Sequence, residues 1–463
     1  MNSRKLAIAA AIGLMGVSAQ QAFAADNTYF DNFTALAGNV AAGSLPESAP
    51  LQLSSPFFSQ KVLADRVTQL ANGESNSGNW DMITANETGV DAGRYLYAPF
   101  ETSTGGVQRT DLWTGVTKTI VQSGTQGFVA GDFSRWTPWG TYMTAEESWG
   151  TGSTKGRLFE VTNPLANPAT VAVDFVHRNI VPRVSHEGGA FDKNNSFYFI
   201  DELNGGSIYK YVSAAPAASN GDSYFAAGQT FVLKANGGSN SNAVGASVWE
   251  AITTATGSAL PSTASAMVTI GTTSSLDGRA AADMVGGTNY QRPEDLELQV
   301  LANGDEVLYI ATTTTDEVYS LNLATNEMKL FASSATFNSV TGAAVGSAFN
   351  NPDNLAIDAN GNIYIIEDQP GGSADIWFAQ DADRDGVAES VSRWASLSTV
   401  GAEPTGLYFD KFNANVAYLN VQHPTSGNDT LLQITAVPEP ETYAMFLAGL
   451  GLMGMVARRR NRR

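Results

Sequence analysis

The chain has no cysteine, and only three histidines are spread through its 463 residues. It can therefore form no disulfide, offer no thiolate nucleophile and build no sulfur-ligated zinc site. Basic residues are also scarce: 26 Lys and Arg face 45 Asp and Glu, a net charge of −19. That balance argues against a phosphate backbone as partner, since nucleic-acid binding draws most of its strength from basic side chains. No nucleic-acid partner is expected. Helical periodicity is missing too; no amphipathic helix longer than a few turns can be placed, and long apolar runs occur only at the two ends.

Both ends read as addresses. Arg4 and Lys5 precede the apolar run Leu6 to Val17, and Ala22-Phe23-Ala24 supplies small cleavage-site residues, the layout of a secretory signal peptide over residues 1–24. At the other end Val437-Pro438-Glu439-Pro440 leads into an apolar stretch, Thr442 to Ala457, closed by Arg458, Arg459, Arg460, Arg462 and Arg463. That stretch is short of the roughly 20 residues a stable span needs. The tripartite segment, residues 437–463, resembles a PEP-CTERM sorting signal. This implies export, a transient inner-membrane tail, an exosortase as processing partner, and a final place at the cell surface or in the extracellular matrix. A permanent C-terminal anchor is the alternative. Without seven basic residues (Arg4, Lys5 and the five terminal arginines) and two acids (Glu439, Glu441), the core holds 19 basic against 43 acidic residues, −24. Such a core suits a protein that collects cations, although the charge also serves solubility.

What is abundant is glycine, 45 residues, and period-two alternation. One layout recurs: a polar anchor, a short alternating strand, a D-x-x-G-like turn, a strand rich in Tyr and Ile, then another polar group. HEGGAFDKNNSFYFIDE from His186, PEDLELQVLANGDEVLYIATTTTDEVYSLNL from Pro293, PDNLAIDANGNIYIIED from Pro352 and PTGLYFDKFNANVAYLNVQHP from Pro404 are clear copies. Weaker ones cover Asn79 to Trp113 and Trp136 to Val161. Six such units predict an all-β fold, a six-bladed β-propeller over residues 25–436, in which Lys234 to Asn289, rich in Gly, Ala, Ser and Thr, is an insertion on one face. A pair of β-sandwiches is the alternative, but it leaves the recurring polar anchor unexplained. Residues Asp26 to Gly78 either lend a strand to the last blade or run over the surface.

In a propeller the first strand of each blade lines the central channel, so residues at one end of those strands converge. Glu147, Glu187, Glu294, Asp353, Glu367 and Glu403 stand near such positions. Carboxylates that meet repel one another unless cations neutralise them. The scarcity of His and the lack of Cys favour Ca²⁺, Mg²⁺ or a ferric ion over structural zinc.

Six segments, GTYMTAEES, HEGGAFD, GSIYKYV, YQRPEDLEL, NPDNLAIDANGNIYIIED and AEPTGLYFD followed by YLNVQHP, occur in this order between about residues 130 and 425. Together they resemble the PhoX-type alkaline phosphatase family. The resemblance implies a monomeric, exported phosphomonoesterase acting on small organic phosphate esters, with calcium and ferric ions at the propeller centre. It implies that Glu187 and Glu294 ligate metal, with Glu147, Asp353, Asn354 and Glu367 as further ligands. Arg292 becomes the phosphate clamp beside a catalytic Glu294, while His423 contacts substrate, as Asn354 also can, or closes the last blade. One position departs from the family pattern T-C-E-E: Ala145 stands where a cysteine bridges the irons. Either the site holds another metal set, such as calcium alone, or the phosphatase activity is lost or changed.

Local readings compete with each of these. Glu146 and Glu147 can be strand-end residues facing opposite sides, His186 and His423 structural histidines, and Arg292 an intrablade partner of Glu294 or Asp295. Asp381-x-Asp383-x-Asp385-Gly386 resembles the front of an EF-hand loop, but its twelfth position is Ser392 rather than Glu. A calcium-stabilised hairpin and a plain charged turn both remain open. As whole functions, a non-catalytic calcium-binding surface propeller that holds a matrix polysaccharide and a calcium-dependent lactonase-like hydrolase are the alternatives.

Overall fold

A computed structural model of the protein describes residues 28–438 except 148–152, 168–173, 239 and 369–372. The expected signal peptide and nearly all of the C-terminal sorting segment lie outside these residues. The described chain is a β-propeller built from four-stranded antiparallel units: three stand as separate sheets, two are joined by one shared strand into a nine-stranded sheet, and one lies within a seven-stranded sheet.

The first blade is Thr84–Ala85, Tyr95–Pro99, Val107–Asp111 and Val116–Val121; the second is Gly131–Trp136, Tyr142–Glu146, Leu158–Val161 and Phe175–His177. Gly189–Phe191, Phe197–Ile200, Ile208–Ser213 and Gly228–Ala235 make the third, and Pro293–Val300, Glu306–Thr312, Glu317–Asn322 and Glu327–Ser333 the fourth. The fifth comprises Pro352–Ile357, Ile363–Glu367, Asp375–Gln380 and Ser390–Leu397. In the sixth, Glu403–Phe409, Val416–Gln422 and Thr430–Ala436 are completed by Phe58–Asp65 from the other end of the chain. That antiparallel ladder, with Phe58 opposite Ala436 and Asp65 opposite Thr430, closes the ring and settles the role of the N-terminal segment.

The recurring turn has one cause. Asp358 Oδ1 accepts from the amides of Asn360 and Asn362, each at 2.9 Å, while Gly361 takes φ +75. Asp192 Oδ1 does the same for Asn194 and Ser196 at 2.9 and 2.7 Å, with Asn195 at φ +58. Aspartate satisfies the turn amides while Gly or Asn accepts the left-handed conformation, so the motif folds locally. The turn-flanking strands are apolar on both faces because each blade is covered by its neighbours: all five residues of Ile363–Glu367 are buried.

Between successive blades lie six apolar clusters, one per junction. The junction between the sixth and first blades, for example, packs Ala64, Val416, Tyr418 and Leu431 with Trp80, Ile83, Leu96 and Phe100. Face-to-face burial of this kind, at about 25 cal/mol per Å², gives each blade a reason to sit beside the next. The insertion is ordered. Its strand Gly245–Ala251 pairs with the outer strands of both the third and fourth blades, and it continues through the hairpin Met267–Ile270 and Thr273–Leu276 to the helix Gly278–Val285.

Candidate metal centre

At one end of the central channel a cavity of about 430 Å³ is lined by ten carboxylates together with Arg292, Gln422 and His423. Two positions in each blade build it. At or just before the start of each blade's first strand stands an acid that faces it: Asp81, Asp132, Glu187, Glu294, Asp353 and Glu403. The second strand of each blade ends there, with Glu101, Glu147, Glu202, Asp368 and His423 in five blades. Thr313 takes that place in the fourth, its hydroxyl donating to Glu294. The fourth blade, whose second strand ends in neither an acid nor a histidine, is the one that carries Arg292.

Glu187, Glu294 and Asp353 are the tightest group: each offers an oxygen, and these oxygens all lie within 4.8 Å of one another. Burial pushes the carboxyls of Glu187, Glu294, Asp353, Glu147 and Asp132 well above their usual range, and neighbouring carboxylates add to the shift. Asp81 rises to about 8, again first from burial and then from Glu101. Arg292 donates from Nη2 to Glu202 Oε1 at 2.7 Å and lies 3.0 Å from Glu294 Oε1. Burial opposes its charge, but these two carboxylates hold it above its ordinary value. His423 Nε2 sits 3.1 Å from Glu403 Oε1 and 3.5 Å from Glu101 Oε2, and hydrogen bonds to Glu101 and Glu403 raise it to about 10. It is therefore a cation at neutral pH.

Four buried carboxylate oxygens of this cavity, Glu187 Oε2, Glu294 Oε2, Asp132 Oδ1 and Asp368 Oδ1, have no hydrogen-bond donor. Unpartnered buried carboxylate oxygens are costly unless a cation meets them. The donor set is all oxygen, so the residues present fit hard cations such as Ca²⁺. Ala145 does not reach the cavity. It is fully buried and belongs to the apolar cluster of Phe133, Leu158 and Val184.

Strand alternation separates neighbours that the sequence leaves equivalent. Glu147 enters the cavity, whereas Glu146 turns away to Arg157 at 2.5 Å. Glu187 enters, whereas His186 is buried against Phe199 and driven down to about 3, chiefly by burial. Two expected site residues lie outside the cavity lining for this reason. Glu367 accepts from Trp377 Nε1 at 2.8 Å and from the amides of Asp375 and Asn350 at 3.0 and 3.1 Å, while the next residue, Asp368, faces the cavity. Asn354 accepts from Thr405 Oγ1 at 2.5 Å and Gly406 N at 2.7 Å, bracing the fifth blade to the sixth, while Asp353 faces inward. Asp81, Glu101, Asp132, Glu202 and Asp368 were missed. Glu202 and Asp368 sit in the quoted repeats at strand ends equivalent to Glu147, so the repeat itself carried their signal. Outside the cavity, Asp381, Asp383 and Asp385 also bring oxygens within 4.8 Å of one another. There the amides of Asp385 and Gly386 already engage Asp381, and Asp385 N also reaches Asp383.

The family model for the alkaline phosphatase PhoX matches residues 134–425, and that for the PEP-CTERM protein-sorting motif matches residues 436–463. No curated protein matches the chain. Among solved structures, a protein of unknown function from Bacteroides thetaiotaomicron is 12% identical with TM-score 0.43, over 82% of this chain and 76% of that one. The calcium-binding protein regucalcin from Agrobacterium tumefaciens is 12% identical with TM-score 0.41, over 83% and 97%. A luciferin-regenerating enzyme is 9% identical with TM-score 0.41, over 80% and 94%.

Proposed function

Because this chain belongs to the alkaline phosphatase PhoX family, we propose that it is an exported, metal-dependent phosphomonoesterase working at the acidic cavity. The observation that carries this reading is the pairing of Arg292 with a nest of donor-free carboxylate oxygens in one cavity. When bound, hard cations there would neutralise the carboxylates, polarise the phosphoryl oxygens and acidify a coordinated water. Glu187, Glu294 and Asp353, with Glu147 and Asp132 beside them, are the residues that would hold such ions.

The chain's own groups have distinct tasks. Arg292 offers paired N–H donors to two phosphoryl oxygens, exchanging its contacts with Glu202 and Glu294 for the incoming anion. His423, charged and about a third exposed, brings a second positive group to the mouth. Among the described residues lining the cavity, these two are the only cationic side chains. Their place at the entrance draws a phosphate ester into a pocket that would otherwise repel it.

The sorting motif implies export and membrane-associated sorting, with an exosortase as the partner. Among the described residues no helix is long and apolar enough to cross a membrane. Gln422 lines the cavity at one end of Val416–Gln422, whereas Ala436 ends the neighbouring strand beyond the residue paired with Val416. The last described strand thus ends on the side opposite the cavity.

Hydrolysis of an aryl phosphate at alkaline pH by the purified protein, with elemental analysis and with or without a calcium chelator, tests this. Turnover lost on chelation and restored by calcium is the expected result. Bound calcium without turnover would favour the non-catalytic propeller, and turnover unaffected by chelation would sink the metal-dependent reading.

A further inference from the structure

The insertion after the third blade reaches Asp201, the residue that precedes the cavity acid Glu202. Its helix, Gly278–Val285, carries in its first turn Arg279, whose Nε donates to Asp201 Oδ2 at 2.7 Å and whose Nη2 donates to Asp201 Oδ1 at 2.6 Å. Asp201 is fully buried, and its Oδ1 also accepts from Ser185 N at 2.9 Å. Glu202 N, the next amide, donates to Ser185 O at 3.0 Å. Ser185 precedes Glu187 by two residues and Asp201 precedes Glu202 by one, so this small bridge joins the two segments that deliver both acids.

The same insertion docks along the chain that leads to Glu187. Arg183 N donates to Leu276 O and Gly278 N to Arg183 O, both at 2.8 Å. A Cβ on Gly278 would stand 2.6 Å from Val184 Cγ1, so the approach requires glycine. On its way out the insertion pairs Tyr290–Gln291 with Asn204–Gly206, immediately after Glu202, and then places Arg292 at φ +53 beside Glu202.

We propose that Arg279, through its forked pair with Asp201, is a positioning residue that aims Glu187, Glu202 and Arg292 at the common centre, and that the insertion exists to carry it. A guanidinium and carboxylate joined by two parallel bonds define an orientation that a single contact cannot. This rests on the metal-binding part of the proposed function, because the aim matters only if the centre holds a cation.

The experiment compares the wild-type protein with Arg279→Lys, which keeps the charge and loses the fork, and with the double variant Arg279→Met/Asp201→Asn, which removes both charges together and so leaves no buried ion unpaired. Each is measured for thermal unfolding, calcium affinity by titration calorimetry, and kcat and KM for an aryl phosphate. The double variant is expected to unfold cooperatively, to bind calcium at least tenfold more weakly and to lose at least tenfold in kcat. Arg279→Lys should recover part of both losses. Lower thermal stability with unchanged calcium affinity and kcat in both variants would reduce the pair to a structural strut and overturn the proposal. If the variants lose calcium affinity while the wild type has no turnover, the positioning role stands and the phosphatase reading fails. A wild type with neither calcium binding nor turnover overturns both.

Discussion

Arg292 and Glu202 are 90 residues apart in the chain, yet Nη2 of one lies 2.7 Å from Oε1 of the other at the rim of an otherwise acidic cavity. The arginine is held ready by carboxylates that a phosphate can replace, and it sits on the one blade whose second strand ends in threonine rather than an acid or histidine.

Arg292→Ala is therefore expected to lower kcat/KM for an aryl phosphate by about 10²- to 10³-fold, the usual cost of losing one preorganised donor to a developing anion. Calcium content should stay nearly unchanged. Elemental analysis beside steady-state kinetics checks both, and metal loss would show that Arg292 orders the ligands rather than the substrate.

Metal removal should expose the carboxylates to pH. Asp81 and Glu403 are both raised to about 8, chiefly by burial, whereas in the unfolded chain they titrate near about 4. The folded state then binds their protons more tightly. Their contribution to stability is complete below about pH 4 and disappears as pH rises through about 8. Thermal unfolding at pH 5 and pH 9 should show a fall in Tm with chelator present and a smaller one at saturating calcium. At 100 times its Kd, calcium would add about 2.7 kcal/mol. Equal pH dependence with and without calcium would contradict the account.

Glu367 separates structural from functional acids. Glu367→Gln turns an amide donor toward groups that now donate to the carboxylate, Trp377 Nε1 and the amides of Asp375 and Asn350. A loss of about 1–3 kcal/mol is expected from denaturant unfolding, with calcium content and turnover intact. A drop in calcium stoichiometry would return Glu367 to the ligand set.

Ala145→Cys is expected to leave metal content unchanged. Ala145 belongs to the apolar cluster that also holds Phe133, Leu158 and Val184 and does not line the cavity, so the added sulfur should cost at most about 1–3 kcal/mol of overpacking. Iron uptake by this variant, seen by elemental analysis, would show that the strand end can turn inward.

By itself the sequence determined the β-rich repeat, the oxygen-only donor set and the neighbourhood of the cavity. Alternation, Asx turns and the positions of acids at strand ends are local properties, readable within about ten residues. It could not choose between adjacent acids. Glu146 or Glu147, Asp201 or Glu202, and Glu367 or Asp368 depend on where each strand stops relative to the ring. Nor could it gather the centre, because Asp81 meets Thr405 at 2.5 Å across 324 residues only after Phe58–Asp65 has closed the last blade. Convergence from six blades is a consequence of ring closure, which no local pattern of side chains encodes.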